Sequence, residues 1–259
     1  MRIVWINQSA RFAGGAERYI GLANRALREQ FGVTSVLLYS LESDLDSSFV
    51  ADFDEAYPVV DLARQLDEVE PDVIFVHKVP LDWMATIAGT GSALKIAFVH
   101  DHDYTCLRRH KYPPWRKTPC TRKTGLACLG CGPIARGPRR LRLNSLPLLH
   151  SAQKGLADLD TVIAPSRYMA GELRQHGVAP ERLRVLSPLI DDKSSTLATT
   201  VRRSDNQLLF VGALTTGKGL DVLLDAMLRI DDRAILTVIG DGPQRHRFEG
   251  QARSLGLGA

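Results

Sequence analysis

The densest chemistry in the sequence lies in one stretch, VHDHDYTCLRRHKYPPWRKTPCTRKTGLACLGCG over residues 99–132, where two histidines and two aspartates run into four cysteines and many Lys and Arg. All the cysteines of the chain are here, spaced Cys106-x13-Cys120-x7-Cys128-x2-Cys131. The closing Cys-x2-Cys, eased by Gly130 and Gly132, puts two thiolates on one tight turn, as a tetrahedral metal knuckle requires. Four thiolates match a structural zinc site, and an iron–sulfur cluster, disulfides or free thiols are the alternatives. His100 is a second candidate, because it directly follows an apolar strand-like run, with Asp101 and Asp103 near enough to orient it or an acceptor. From Tyr104 to Leu143 there are eleven Lys and Arg and no Asp or Glu, which leaves 22 basic against 29 acidic residues elsewhere. The net charge of +4 therefore belongs to one segment, and such a patch is either a solvated loop or an attractor of phosphates and acidic lipid head groups.

Two further places can hold an anion. Gly14 and Gly15 open a helical pattern, so backbone can approach a ligand closely there, with the free N–H groups and positive dipole end of a helix behind it. Lys218 precedes Gly219 and a second helical pattern, where its ammonium can supply a charge-assisted hydrogen bond worth about 1.5–3 kcal/mol.

These residues need a scaffold, and the chain reads as alternating strand and helix. With 259 residues, 44% apolar and 24% charged, it has ample material for a core, and the run Ile3–Ile6 is too short for the apolar region of a signal peptide. No run approaches the length of a membrane span, so a reducing cytoplasm is the expected setting. Strands are predicted at 2–7, 33–39, 72–76, 94–99 and 161–164, and helices at 14–32, 61–70, 81–88, 145–157 and from the cap Ser166 to Gly177. Strands joined by crossover helices imply a parallel α/β sheet that binds ligands beyond the carboxyl ends of its strands. Residues 1–187 form this first domain, with the cysteine-rich and basic stretch inserted at 102–143. Residues 188–207 read as a linker, and 208–259 supply only two strand–helix units, too few for an open sheet to bury both its faces.

The set AGGAERY (13–19), VHDHD (99–103), VIAPSRYMAGEL (162–173), FVGALTTGKGLDVLLDAM (210–227) and VIGDGP (238–243) resembles the family 4 glycosyltransferases of GT-B fold, in the family's order over most of the chain. That resemblance implies two Rossmann-like domains facing across a cleft, the first for the acceptor and the second for a nucleotide-diphosphate sugar of UDP or GDP type. It also implies transfer with retained anomeric configuration. It places His100 beside the transferred sugar, and it assigns Gly14, Gly15, Gly212, Lys218 and Gly219 to the donor's diphosphate. No catalytic metal is expected.

Two departures bear on activity. The family's arginine after Phe-Val-Gly is Ala213 here, and the paired glutamates eight positions apart are absent, since Glu249 is the only glutamate between Pro188 and Ala259. The sequence thus reads as lacking the C-terminal part of the donor domain, and a chain inactive by itself or dependent on a partner is the second expectation. The cysteine segment becomes a metal-pinned basic flap over the acceptor pocket, suited to a sugar, lipid-linked or small-molecule acceptor and to peripheral contact with an anionic inner-membrane face. A zinc-knuckle nucleic-acid binder is the rival from another class. Only Tyr104, Tyr112 and Trp115 are there to stack on bases, and no nucleic acid is expected.

Overall fold

The computed structural model describes residues 1–113, 115, 118–131, 134–136, 141–143, 145–189, 205–215, 217–230 and 233–258, the short strands at 134–136 and 141–143 in their backbone only. The chain divides into two compact units, Met1–Asp191 and Asp192–Ala259. Most of the stretch read as a linker, 190–204, lies outside the described residues.

The first unit runs β1 (Arg2–Asn7), α1 (Gly15–Phe31), β2 (Thr34–Ser40), α2 (Ser47–Val50), β3 (Glu55–Val59), α3 (Leu62–Val69), β4 (Val73–Val76), α4 (Trp83–Gly89) and β5 (Leu94–Phe98). A 3-10 turn (Leu126–Cys131) and a small hairpin, β6 (Ile134–Arg136) with β7 (Leu141–Leu143), follow. Then come α5 (Leu146–Asp158), β8 (Thr161–Ala164), α6 (Arg167–Gln175) and β9 (Leu183–Val185). Seven of the strands form one sheet in the order β3-β2-β1-β4-β5-β8-β9, parallel throughout. The fold class is α/β, as the alternation of elements predicts.

Side chains alternate between the faces of a strand, and the sheet uses both. Val4, Ile6, Ile74, Val76, Ala97 and Val99 join one buried cluster with residues of α3 to α6, such as Leu66, Met84, Leu149 and Leu173. Ile3, Trp5, Leu37, Phe75, Phe98 and Ile163 point the other way, against Tyr19, Ile20 and Ala23 of α1 and Phe49 of α2. Helix ends follow local chemistry. Ser166 Oγ accepts from Met169 N at the start of α6, and Gly32, at φ 59°, ends α1 in the left-handed conformation that glycine adopts without penalty. On the α4–α5 contact Gly155 is demanded by space, since a Cβ there would sit 2.8 Å from the Met84 carbonyl oxygen.

The second unit contains β10 (Gln207–Val211), α7 (Leu220–Met227), β11 (Ile235–Ile239) and α8 (Arg245–Ser254). Its strands pair in parallel, and Leu214, Leu220, Leu224 and Phe248 form its small core. Leu209, Val211, Ile235 and Ile239 stay more than half exposed, the consequence of a sheet too narrow to cover both faces.

Candidate active site

The strand order reverses at β1 and β4: the chain moves outward through β2 and β3, then returns to the other side of β1. Such a switch point opens a crevice at the carboxyl ends of the strands. Asn7 ends β1, His77 and Lys78 follow β4, and His100 and Asp101 follow β5, so three neighbouring strands deliver polar side chains to one place.

Strand parity sorts those side chains. His77 lies two residues beyond Phe75, and His100 two beyond Phe98, so both rings continue the aromatic face. His77 stacks on Trp5 with ring centroids 5.5 Å apart and 9° between planes. Tyr19 of α1 packs on Phe98 at 4.4 Å and meets His100 edge-on at 5.7 Å. His77 Nδ1 and His100 Nε2 are 3.0 Å apart and share a hydrogen bond. His77 Nε2 is buried with no partner. A proton there would be a buried donor with nothing to receive it, so the network assigns the proton to Nδ1, which donates to His100 Nε2. The neutral His100 then carries its own proton on Nδ1.

Burial holds both rings uncharged. The His77 pKa lies well below its ordinary value because of burial, with the His100 charge adding in the same direction. Burial also lowers His100, to about 4; the negative charge of Asp101 opposes this shift and the Lys78 ammonium adds to it.

The opposite parity carries charge. Lys78 Nζ pairs with Asp101 Oδ2 and lies 3.6 Å from Asp103 Oδ2, while Arg109 Nε lies 3.6 Å from Asp103 Oδ1. Burial works against the charge of Lys78, but Asp103 and Asp101 outweigh it and raise its pKa. Asp103 is pushed up to about 6 by burial first and the Asp101 charge second. Asp101 is held below the usual carboxylate range, the Lys78 ammonium overcoming the cost of burial. Of the two expectations for these aspartates, orienting His100 or an acceptor, the first is corrected here: they bind Lys78, and the hydrogen-bond partner of His100 is His77. Asn7 completes the arrangement, accepting from Lys78 N at 3.2 Å and donating to Glu17 Oε1 at 3.2 Å.

Gly14 and Gly15 are exposed at the amino end of α1. Gly14 is extended, and a Cβ at Gly15 would meet nothing within 4 Å, so neither position needs glycine for its own conformation or packing. What they leave is open space in front of the free N–H groups of the first turn. Glu17 in that turn, which sequence reasoning passed over, is buried against Asn7.

Gly212, Lys218 and Gly219 belong to the second unit. Leu214 N donates to Asp241 O at 2.9 Å and Gln244 N to Leu214 O at 3.1 Å, binding the Gly-Asp-Gly-Pro turn to the loop that carries Lys218. A Cβ at Gly242 would fall 2.6 Å from the Leu214 carbonyl oxygen, which explains glycine there. Lys218 is exposed between Gly217 and Gly219, whose φ angles of 95° and 82° turn the chain sharply into α7.

The four cysteines are unoxidised and half-buried, and they line one cavity. Among the described residues, no three His, Cys, Asp or Glu side chains stand in a metal-holding arrangement. Of the basic residues, Arg116, Lys117, Arg139 and Arg140 lie outside the described residues. Lys111 is buried and paired with Glu172 of α6, so it belongs to the packing of the segment and not to an exposed patch.

Comparison with known proteins bears on the fold and the family. No curated protein sequence matches the chain. Solved structures resemble it in fold: the lipopolysaccharide outer core galactosyltransferase WaaB in its apo form (14% identity, TM-score 0.63, covering 99% of this chain and 66% of that one), Anabaena Alr3699/HepE in complex with UDP-glucose (17%, 0.60, 99% and 66%), and a glycosyltransferase from Rickettsia africae (13%, 0.56, 99% and 65%). The chain spans less than two thirds of the length of those proteins. The profile for Glycosyl transferases group 1 matches residues 197–259, and that for Glycosyltransferase Family 4 matches residues 13–194. With most of its length covered by that profile, the chain belongs to the family 4 glycosyltransferases and has their α/β fold of GT-B type.

Proposed function

We propose that the protein serves in a retaining, hexosyltransferase-type transfer from a UDP- or GDP-linked sugar to a hydroxyl of a saccharide, lipid-linked or small-molecule acceptor. The observation that carries this reading is the cluster His77, His100, Lys78, Asp101 and Asp103 at the switch-point crevice of a family 4 domain. UDP bound by Alr3699/HepE, a protein of like fold, supports a uridine diphosphate donor.

In this reading the bond between the anomeric carbon and the donor phosphate breaks as the acceptor oxygen adds on the same face. The acceptor proton passes to the departing phosphate oxygen. His100, uncharged near neutral pH, donates from Nδ1 to a sugar or acceptor hydroxyl without adding charge to the site. Lys218 and the backbone of Gly212 and Gly219 in the second unit receive the diphosphate, whose developing charge calls for cations and N–H donors; in the first unit the amino end of α1 at Gly14 and Gly15 offers free N–H groups to an anion.

The reaction belongs to cell-envelope polysaccharide or glycoconjugate synthesis at the cytoplasmic side of a membrane, with peripheral contact through the basic segment and no nucleic-acid partner. No helix among the described residues is long and apolar enough to cross a membrane. The exposed apolar strands of the second unit favour a second statement: the 259-residue chain by itself turns over little or no sugar. Calorimetry with UDP, GDP and ADP, followed by product analysis with UDP-sugars, tests both. Saturable binding of one nucleoside diphosphate supports the transferase, and salt-sensitive RNA binding without it overturns it. Turnover in the usual enzyme range of about 1–1,000 per second overturns the second statement.

A further inference from the structure

We propose that Cys106, Cys120, Cys128 and Cys131 bind one structural zinc ion that orders the segment following β5. The four thiols come from separate pieces of chain. Cys106 closes the turn that starts at His102, whose carbonyl receives its N–H at 3.0 Å. Cys120 returns to the backbone of Lys111, and Cys128 and Cys131 sit on the 3-10 turn Leu126–Cys131. All four converge on one cavity, unoxidised and neither fully buried nor fully exposed.

The wall of that cavity suits a metal tetrathiolate, which is a dianion. Arg108 and Arg122 line it and can offset the charge. Arg108 Nη1 donates to Cys131 O at 3.0 Å, while its Nε is buried with no hydrogen-bond partner. A thiolate sulfur would supply the missing acceptor, and second-shell donors of this kind are what tune and orient metal ligands.

Ordering is the second argument. From Arg108 to Cys131 the only described residues that are buried are the polar Lys111 and Thr124, while Trp115, Leu126 and Leu129 are exposed. Thr124 bonds His176 at 3.1 Å, and Lys111 pairs with Glu172, so the segment is tied to α6 by polar contacts and has no apolar core of its own. A metal supplies the folding energy that such a segment lacks. As the side chains stand, no three of them are set to hold an ion. All four thiols lie on loops or a short turn outside the sheet, and they must close to Zn–S distances of about 2.3 Å when the ion binds. Four S–H protons leave to solvent as four Zn–S bonds form. With its coordination filled, the ion has no open position for catalysis, and its role is structural.

The test is elemental analysis of the 259-residue chain purified from a reducing cytoplasm without chelators, with thiol titration of the native protein. The expected result is about one zinc per chain with thiols protected until the zinc is displaced. The Cys128→Ser/Cys131→Ser variant should fall to background zinc and be cleaved faster by protease between residues 104 and 143. Because that variant can fail by misfolding, cobalt(II) titration of the unaltered apoprotein is the second measurement. The charge-transfer and d–d absorption of a tetrahedral tetrathiolate, abolished by stoichiometric zinc, is expected. Metal-free protein with four freely reacting thiols, a native disulfide, an iron–sulfur chromophore, or cobalt bound without thiolate bands would each overturn the proposal.

Discussion

Replacing His100 by Asn should make the fold markedly less sensitive to acid, by about 2 kcal/mol between about pH 7 and pH 5. The reason is the burial that places His100 near 4 in the folded protein, against 6.5 for an unperturbed ring. The unfolded chain takes up the proton from about 6.5 downward, while the native state resists it until about 4. This histidine therefore contributes fully above its unfolded pKa, and that contribution is lost as the pH falls through the window between the two values. At about pH 5 the unfolded state is almost fully protonated at this site and the native state barely, which gives the 2 kcal/mol stated. Asp103 works in the opposite sense, since a carboxyl raised to about 6 gains stability as it protonates. It is present in both proteins and cancels in the difference, as does most of the contribution of His77. Urea denaturation of the wild type and His100→Asn at both pH values, followed by tryptophan fluorescence, measures this difference. Equal losses of stability on acidification in the two proteins would refute the reasoning.

Other expectations can be checked on the same chain. Gly155→Ala should destabilise the first unit by about 1–3 kcal/mol, seen as a lower urea midpoint, because its Cβ runs into the backbone of Met84. Lys111→Met should cost about 3–5 kcal/mol by leaving the Glu172 carboxylate buried without a partner. Adding Glu172→Leu should recover most of that loss. Nitrogen-15 NMR of the imidazoles near neutral pH should show His77 and His100 both protonated on Nδ1; an Nε2–H signal from His77 would reverse the assigned direction of their hydrogen bond. Lys218→Ala should weaken nucleoside-diphosphate binding by about 1.5–3 kcal/mol and leave nucleoside binding unchanged, as calorimetry would read.

The parallel α/β architecture was legible because its central strands are unbroken apolar runs, as in Val73–Val76, and its helices carry caps such as Ser166. β3 was missed for a physical reason. It is an edge strand, half exposed and carrying Pro58, which only an edge tolerates. The site was legible at His100, because a histidine directly after a buried strand stands out. His77 and Lys78 follow β4 in the same way, and that signal was available but unused. What no local pattern reveals is pairing across long separations. The choice of Lys78 as the partner of Asp101 and Asp103, or of Glu172 as the partner of Lys111, is set by which strands and helices become neighbours.

The central claim, that this chain handles a nucleotide sugar, is tested most directly by titrating UDP-glucose into labelled protein and following backbone amide shifts. The account predicts saturable shifts at Gly212, Gly217, Lys218 and Gly219, reproduced by UDP and moved to at least about tenfold higher ligand concentration in Lys218→Ala. Absence of any saturable shift at these residues with UDP-, GDP- or ADP-linked sugars would contradict it.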